Sequence, residues 1–268
     1  MKKRRIIPII LIKNGYVVQS RNFKEFQKLG LPKTSIKRCS EWGSDELILL
    51  DISREVYHDI NRDDLNFDNP KFFLDLVSNI SKFCFMPVTA GGKIRSLEDI
   101  EKYLLAGADK VSINTHGVLN PKFLYEASKK YGSQCIVNSI DVKFNSKKYI
   151  VYINNGQVAT NYFLEEWLKI SQDHGVGEIL INSIDNDGKG DGFDINLINL
   201  TETLSDVPVI CCGGAGNVNH FLDVAKNTKV DGIAAANFFQ HIDQSVFFTK
   251  KKLYDESLNF REPILLNI

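Results

Sequence analysis

The sequence contains no apolar run near the roughly 18 residues that a membrane-spanning helix requires, so no membrane partner is expected. It has no excess of either charge, with 33 Lys and Arg against 33 Asp and Glu, which argues against a nucleic-acid polyanion as partner. Its five cysteines (Cys39, Cys84, Cys135, Cys211, Cys212) form no CxxC pair, and four lie in or beside apolar runs, as buried free thiols do. His58, His116, His174, His220 and His241 show no metal-ligand spacing, so no metal is expected and no cofactor is implied. No GxGxxG follows the first apolar run, which speaks against a dinucleotide-binding sheet. Met1 to Arg5 carries the charge of a signal-peptide n-region. However, Lys13-Asn-Gly15 ends the apolar run and no small-residue cleavage site follows, so a cytoplasmic protein is expected.

What the sequence does contain is a succession of short apolar runs without alternation, separated by stretches of helical spacing, the pattern of buried parallel strands with crossover helices. Strands are predicted at Arg5–Ile12, Glu46–Asp51, Phe85–Ala90, Asp109–Ile113, Cys135–Asp141, Glu178–Ser183, Val207–Cys212 and Asp231–Ala236, with helices such as Leu97–Leu105 and Asn219–Lys226 between them. This order predicts an α/β fold, one (β/α)8 (TIM) barrel domain over residues 1–268, in preference to an open doubly wound sheet. Tyr149–Ile153, the turn Asn154-Asn-Gly156 and Gln157–Thr160 predict a β-hairpin inserted after strand five. The polar stretch Ser53–Pro70 predicts a long loop after strand two.

The halves repeat. Met86-Pro-Val-Thr-Ala-Gly-Gly92 parallels Val207-Pro-Val-Ile-Cys-Cys-Gly-Gly214, each leads through a helix to a strand opening on an aspartate (Asp109, Asp231), and Glu46-Leu-Ile-Leu49 parallels Glu178-Ile-Leu-Ile181. A half-barrel repeat predicts two related sites at the mouth. Gly91-Gly92 and Gly213-Gly214 directly follow strands three and seven, where backbone N–H groups can approach an anion and a helix N-terminus lies just beyond. Asn114-Thr115 and Ala236-Asn237 end strands four and eight and would complete one phosphate site in each half. One glycine pair alone would merely turn a tight corner; two at matching places favour anion binding. Lys93 and Arg95 either add charge beside the first site or are solvated surface residues.

The segments Arg5-Ile-Ile-Pro8, Lys13-Asn-Gly15, Asp45 to Asp51, Thr89 to Ser96, Ala106 to Thr115, Ser139 to Lys143, Gly177 to Gly188 and Cys212-Gly-Gly-Ala-Gly216 resemble, along nearly the whole chain, the cyclase subunit family of imidazole glycerol phosphate synthase, HisF. The resemblance implies that ammonia from a partner glutaminase crosses the barrel and meets a phosphorylated, sugar-like substrate at the C-terminal mouth. It also implies that Arg5, Glu46, Lys110 and Glu178 form the ring of charges where ammonia enters. Each of these residues opens an otherwise apolar strand, and two charges of each sign would satisfy one another whether the ring is structural or a gate. The completeness of the match favours the gate and places the glutaminase on the N-terminal face.

The resemblance also has gaps. The family's cyclisation uses two aspartates as general acid and base, ending strands one and five; Asp141 matches the second, but Leu11 holds the first position and cannot transfer a proton. Gln19 stands where the family has a lysine on the first mobile loop, and Lys93 where it has a third glycine. Asp187 matches a further acidic position and is available for acid–base chemistry, while Asp185 reads as a turn cap. These departures resemble the HisF-like paralogues encoded with surface-polysaccharide or flagellin-glycan genes, which implies a sugar amidotransferase as a further partner.

Overall fold

The computed structural model describes residues 2–54, 70, 72–80, 82 and 84–266. Along the chain it contains β1 (Arg5–Lys13), β2 (Tyr16–Arg21), β3 (Glu25–Gly30), α1 (Pro32–Glu41), β4 (Leu47–Asp51), α2 (Phe73–Ile80), β5 (Val88–Gly91), α3 (Leu97–Leu105), β6 (Lys110–Ile113), α4 (Thr115–Leu119) and α5 (Pro121–Tyr131). It continues with β7 (Ile136–Phe144), β8 (Tyr149–Ile153), β9 (Val158–Phe163), α6 (Leu164–Asp173), β10 (Glu178–Ser183), α7 (Ile195–Leu204), β11 (Val209–Cys212), α8 (Val218–Asn227), β12 (Gly232–Ala235), α9 (Phe238–His241) and α10 (Ser245–Asp255). Parallel pairing runs β1-β4-β5-β6-β7-β10-β11-β12 and returns from β12 to β1, so eight strands close a barrel with helices outside it. That is the (β/α)8 barrel expected from the strand order. Closure leaves these strands no free edge, and burial on both faces explains their near-continuous apolar sequences.

The strands differ from the expected bounds for local reasons. Strand three begins at Val88 and strand seven at Val209, because Pro87 and Pro208 have no N–H to donate to a ladder and only their carbonyls take part, accepting from Leu47 and Ile179 at 2.9 Å each. Phe85, expected inside strand three, is 78% exposed. Asp109 and Asp231 fall just outside strands four and eight; instead their carboxylates accept from Val88 N at 2.8 Å and Val209 N at 3.1 Å, capping the neighbouring strand in each half. Strand five runs past Asp141 to Phe144 because it goes on pairing with the expected hairpin, β8 and β9. A second hairpin, β2–β3, follows the Asn14-Gly15 turn and was not expected. The long loop expected at 53–70 lies largely outside the described residues.

Helix starts are set by their own side chains. Ser96 and Asp99 form a capping box at α3, Asp194 accepts from Leu197 N at 2.9 Å at α7, and Asn217 accepts from Asn219 N at 2.9 Å at α8. Apolar helix faces pack on the outside of the barrel, and the fully buried Trp167 of α6 donates from Nε1 to Asn138 Oδ1 at 3.0 Å. Asn138 in turn donates to Ile113 O at 3.0 Å, so α6, β7 and β6 are joined by one buried polar chain. Trp167→Phe leaves the Asn138 oxygen buried without its donor and opens a small void. It is expected to lower unfolding stability by about 2–4 kcal/mol, measured by denaturant titration.

Candidate active site

At the N-terminal end of the barrel the four charged strand-opening residues meet. Arg5 donates from Nη1 to Glu46 and from Nη2 to Glu178, both at 2.5 Å, while Lys110 Nζ lies 2.9 Å from Glu46 and 2.7 Å from Glu178. Thr89 Oγ1 adds a bond to Glu46 at 2.9 Å. The two carboxylates are nearly buried, 2% and 7% exposed at their side chains, and each is held by both cations. Burial alone would lower the pKa of Arg5, but Glu178 and Glu46 outweigh it and the net shift is upward. The ring thus pairs two cationic with two anionic side chains.

Above the ring the barrel interior is mostly apolar, with Ser112 and Ser139 buried in phase with Lys110 and Val137. Ile7, Ile9, Ile48, Val137, Leu180, Ile210 and Ala234 fill it, and Leu11, Leu50, Cys212 and Ala236 continue it to the mouth. Leu11 therefore faces inward at the rim. Asp141 lies in the same upper layer, 7% exposed, accepting from Asn114 Nδ2 at 3.0 Å and Asn182 Nδ2 at 3.4 Å. Desolvation pushes its carboxyl up to about 7 despite the two amides, which favour the charged form. Burial also pushes the Cys212 thiol well up, so it stays protonated and apolar. The Asn182 Oδ1 atom is buried with no partner among the described residues, an acceptor suited to a nitrogen-bearing ligand. The mouth thus has an apolar wall facing the Asp141 carboxyl, which is raised to about 7.

Both glycine loops stand at the rim. A Cβ on Gly92, at φ +117, would meet Asp51 O at 2.3 Å, and one on Gly214, at φ +108, would meet Gly192 O at 2.0 Å, so both places require glycine. Lys93, next to Gly92, keeps a left-handed backbone (φ 59), and its ammonium lies 2.8 Å from the nearly buried Asp51. Asp51 also accepts from Ser53 N at 2.9 Å and Oγ at 2.6 Å. In the other half the matching positions are Ala215 and Ser183, an uncharged pair; Ser183 Oγ bonds Asn186 instead, at 3.2 Å. In the first turns of α3 and α8, N–H groups are already taken by Ser96 and Asn217. Thr115 Oγ1 accepts from Asn154 N at 2.9 Å, which ties the strand-five hairpin to the first site. Ala236 follows β12 on the inner wall, Arg95 is exposed to solvent, and Asp185 accepts from Phe144 N at 2.8 Å, capping the β7–β8 ribbon.

Asp187 and Asn237 are brought to the same place, but both side chains bond Ser20 of the β2–β3 hairpin. Burial raises the Asp187 carboxyl, partly offset by Ser20 and the Phe23 amide. Sequence reasoning missed Asp51, Asn182 and Ser20; of these, only Ser20 carried a signal, through the Asn14-Gly15 hairpin turn that precedes it. Among the described residues no group of His, Cys, Asp and Glu is placed to hold a metal, and none of the described helices is long and apolar enough to cross a membrane.

The chain that folds into this closed (β/α)8 barrel matches the family model Histidine biosynthesis protein over residues 5–244. Relatives named imidazole glycerol phosphate synthase subunit HisF are 36% identical in Streptococcus mutans and 39% in Hydrogenobaculum, each over 97% of this chain and 100% of the relative. A third from Exiguobacterium is 40% identical over 88% of both chains. The chain belongs to the HisF family.

The raised Asp141 carboxyl has a measurable linkage. Because its folded pKa lies above the unfolded value, its relative stabilisation is present below about pH 4 and is lost as pH rises through about 7. Asp141→Asn is therefore expected to leave stability nearly unchanged at pH 4 and to raise it by up to about 4 kcal/mol at pH 8, read from paired unfolding curves.

Proposed function

We propose that the chain is the ammonia-receiving subunit of a glutamine-dependent amidotransferase complex, binding a phosphorylated sugar-like substrate at the mouth. The observation that carries this reading is the packing of apolar side chains between the charge ring and the Asp141 layer. Neutral ammonia can pass such a lining, whereas ammonium would lose its hydration without compensation. The ring gives a polar entrance on the N-terminal face. Phe85, 78% exposed just before β5, and Leu105, 82% exposed at the end of α3 that leads to β6, lie on that face, an apolar surface suited to a glutaminase. At the mouth, the glycine loops at 91–92 and 213–214, with Lys93, Asn114, Thr115, Ala236 and Asn237 beside them, supply the donors for phosphate.

Asp141, titrating near 7, serves as the general acid or base for one proton transfer at the mouth. The relatives' names describe imidazole glycerol phosphate synthase, whose ring closure requires two such groups, and Leu11 supplies none. The loss of one partner costs about 10²–10⁴-fold in rate, so cyclase turnover is expected to be weak. Leu11 favours a second reading for the same complex: a non-cyclising subunit that passes ammonia to a sugar amidotransferase making an acetamidino group in a surface glycan. With ammonium salts at high pH and the ribulosyl nucleotide, turnover that is barely detectable and rises on Leu11→Asp supports the diverged cyclase. No turnover in either form supports the second reading. Phe85→Asp combined with Leu105→Asp is expected to abolish co-elution with the cognate glutaminase and its stimulation; unchanged co-elution would remove the proposed docking face.

A further inference from the structure

The β2–β3 hairpin is anchored at one residue. Ser20 is 1% exposed although its hairpin neighbours Arg21 and Lys24 are exposed. Its Oγ donates to Asp187 Oδ2 at 2.6 Å, its N donates to Asn237 Oδ1 at 3.1 Å, and its O accepts from Asn237 Nδ2 at 2.7 Å. The turn that follows is held by the same partners: Phe23 N donates to Asp187 Oδ2 at 3.2 Å, and Asn22 N to Asp187 O at 3.0 Å. Asn22 and Phe23 both adopt left-handed backbones, φ 52 and 58, which non-glycine residues keep only where surrounding bonds hold them. At the tip, Gln157 of the strand-five hairpin donates to Phe23 O at 3.2 Å, and a Cβ on Gly156 would stand 2.7 Å from the Phe23 ring. A Cβ on Gly188 would stand 2.3 Å from Ser20 O. The hairpin leaves β1, is fixed to residues that follow β12 and β10, and reaches the ribbon that follows β7, so it crosses the rim of the second half.

A hydroxyl donating to a carboxylate is a strong bond, and the bidentate backbone–amide pair with Asn237 adds register. The carboxylate of Asp187 and the amide of Asn237, the two second-half residues placed to meet a ligand, are both committed to Ser20. We propose that Ser20 is a positioning residue that latches this hairpin across the second half of the mouth, with Asp187 and Asn237 as its keepers. The subsite at Gly213-Gly214 is then enclosed, and Asp187 acts through the hairpin. The consequence for ligand rests on the phosphate reading of the mouth; the latch itself rests on the bonds.

The exposed Arg21 and Lys24 make hairpin opening readable by limited trypsin digestion of the full chain, followed by mass spectrometry of the fragments ending at those residues. Ser20→Ala and Asp187→Ala are expected to speed these two cleavages by roughly tenfold. Ser20→Thr, which keeps the hydroxyl, should cleave at about the wild-type rate. Cleavage unchanged in both alanine variants, or faster by the same factor at every other site, would overturn the latch. Inorganic phosphate exchange, followed by phosphorus NMR, separates the two readings. Faster exchange in Ser20→Ala than in the wild type supports an enclosed phosphate subsite. Faster cleavage with no bound phosphate in any variant keeps the latch and rejects phosphate at the mouth.

Discussion

Strand β1 is hydrogen-bonded to β12 on one side and β4 on the other, and the arrangement of the whole interior depends on that seam. An open parallel sheet would leave two unpaired edges and no inside. At the seam Arg5 does two things. Its main-chain N–H donates to Asp231 O at 3.0 Å, and its guanidinium spans Glu46 and Glu178 from opposite sides of the barrel. Without the cations these two nearly buried carboxylates would carry a desolvation cost of several kcal/mol each. Closing the sheet thus places the charge that neutralises the base, and a neutral base lets the apolar layers above it stay free of counter-charge.

The mouth carries the opposite imbalance. Leu11, Leu50 and Cys212 make one wall apolar, while Asn114, Asp141 and Asn182 make the other polar, and the carboxyl between the two amides lies against the apolar layers packed inside the barrel. The environment that raises Asp141 to about 7 faces the apolar side chains of Leu11, Leu50 and Cys212 across the opening.

The barrel was legible in the sequence because its strands are buried on both faces and read as plain apolar runs, a signal that survives without knowledge of the partners. Their ends were less legible. Pro87, Pro208, Asp109 and Asp231 shift them by one to three residues through bonds made to neighbouring strands, which are distant in sequence. The β2–β3 hairpin has weak alternation and an exposed second strand, so only its Asn-Gly turn announced it. At the site, the charged strand openings and the twin glycine pairs could be seen in the sequence, but their meeting could not. Asp51 looked like an ordinary strand-ending aspartate, and its pairing with Lys93 follows from a left-handed backbone that no propensity favours for lysine. Asp187 and Asn237 were expected near ligand, and their attachment to Ser20 depends on a hairpin that the apolar pattern did not reveal.

The two halves of the rim are copies that have ceased to be equivalent. One carries the zwitterion of Asp51 and Lys93; the other has Ser183 and Ala215 at the same stations. Any molecule long enough to rest on both meets a charged seat at one end and an uncharged one at the other. A rim of two matching halves is in this way polar from one side to the other, charged at Asp51 and Lys93 and uncharged at Ser183 and Ala215.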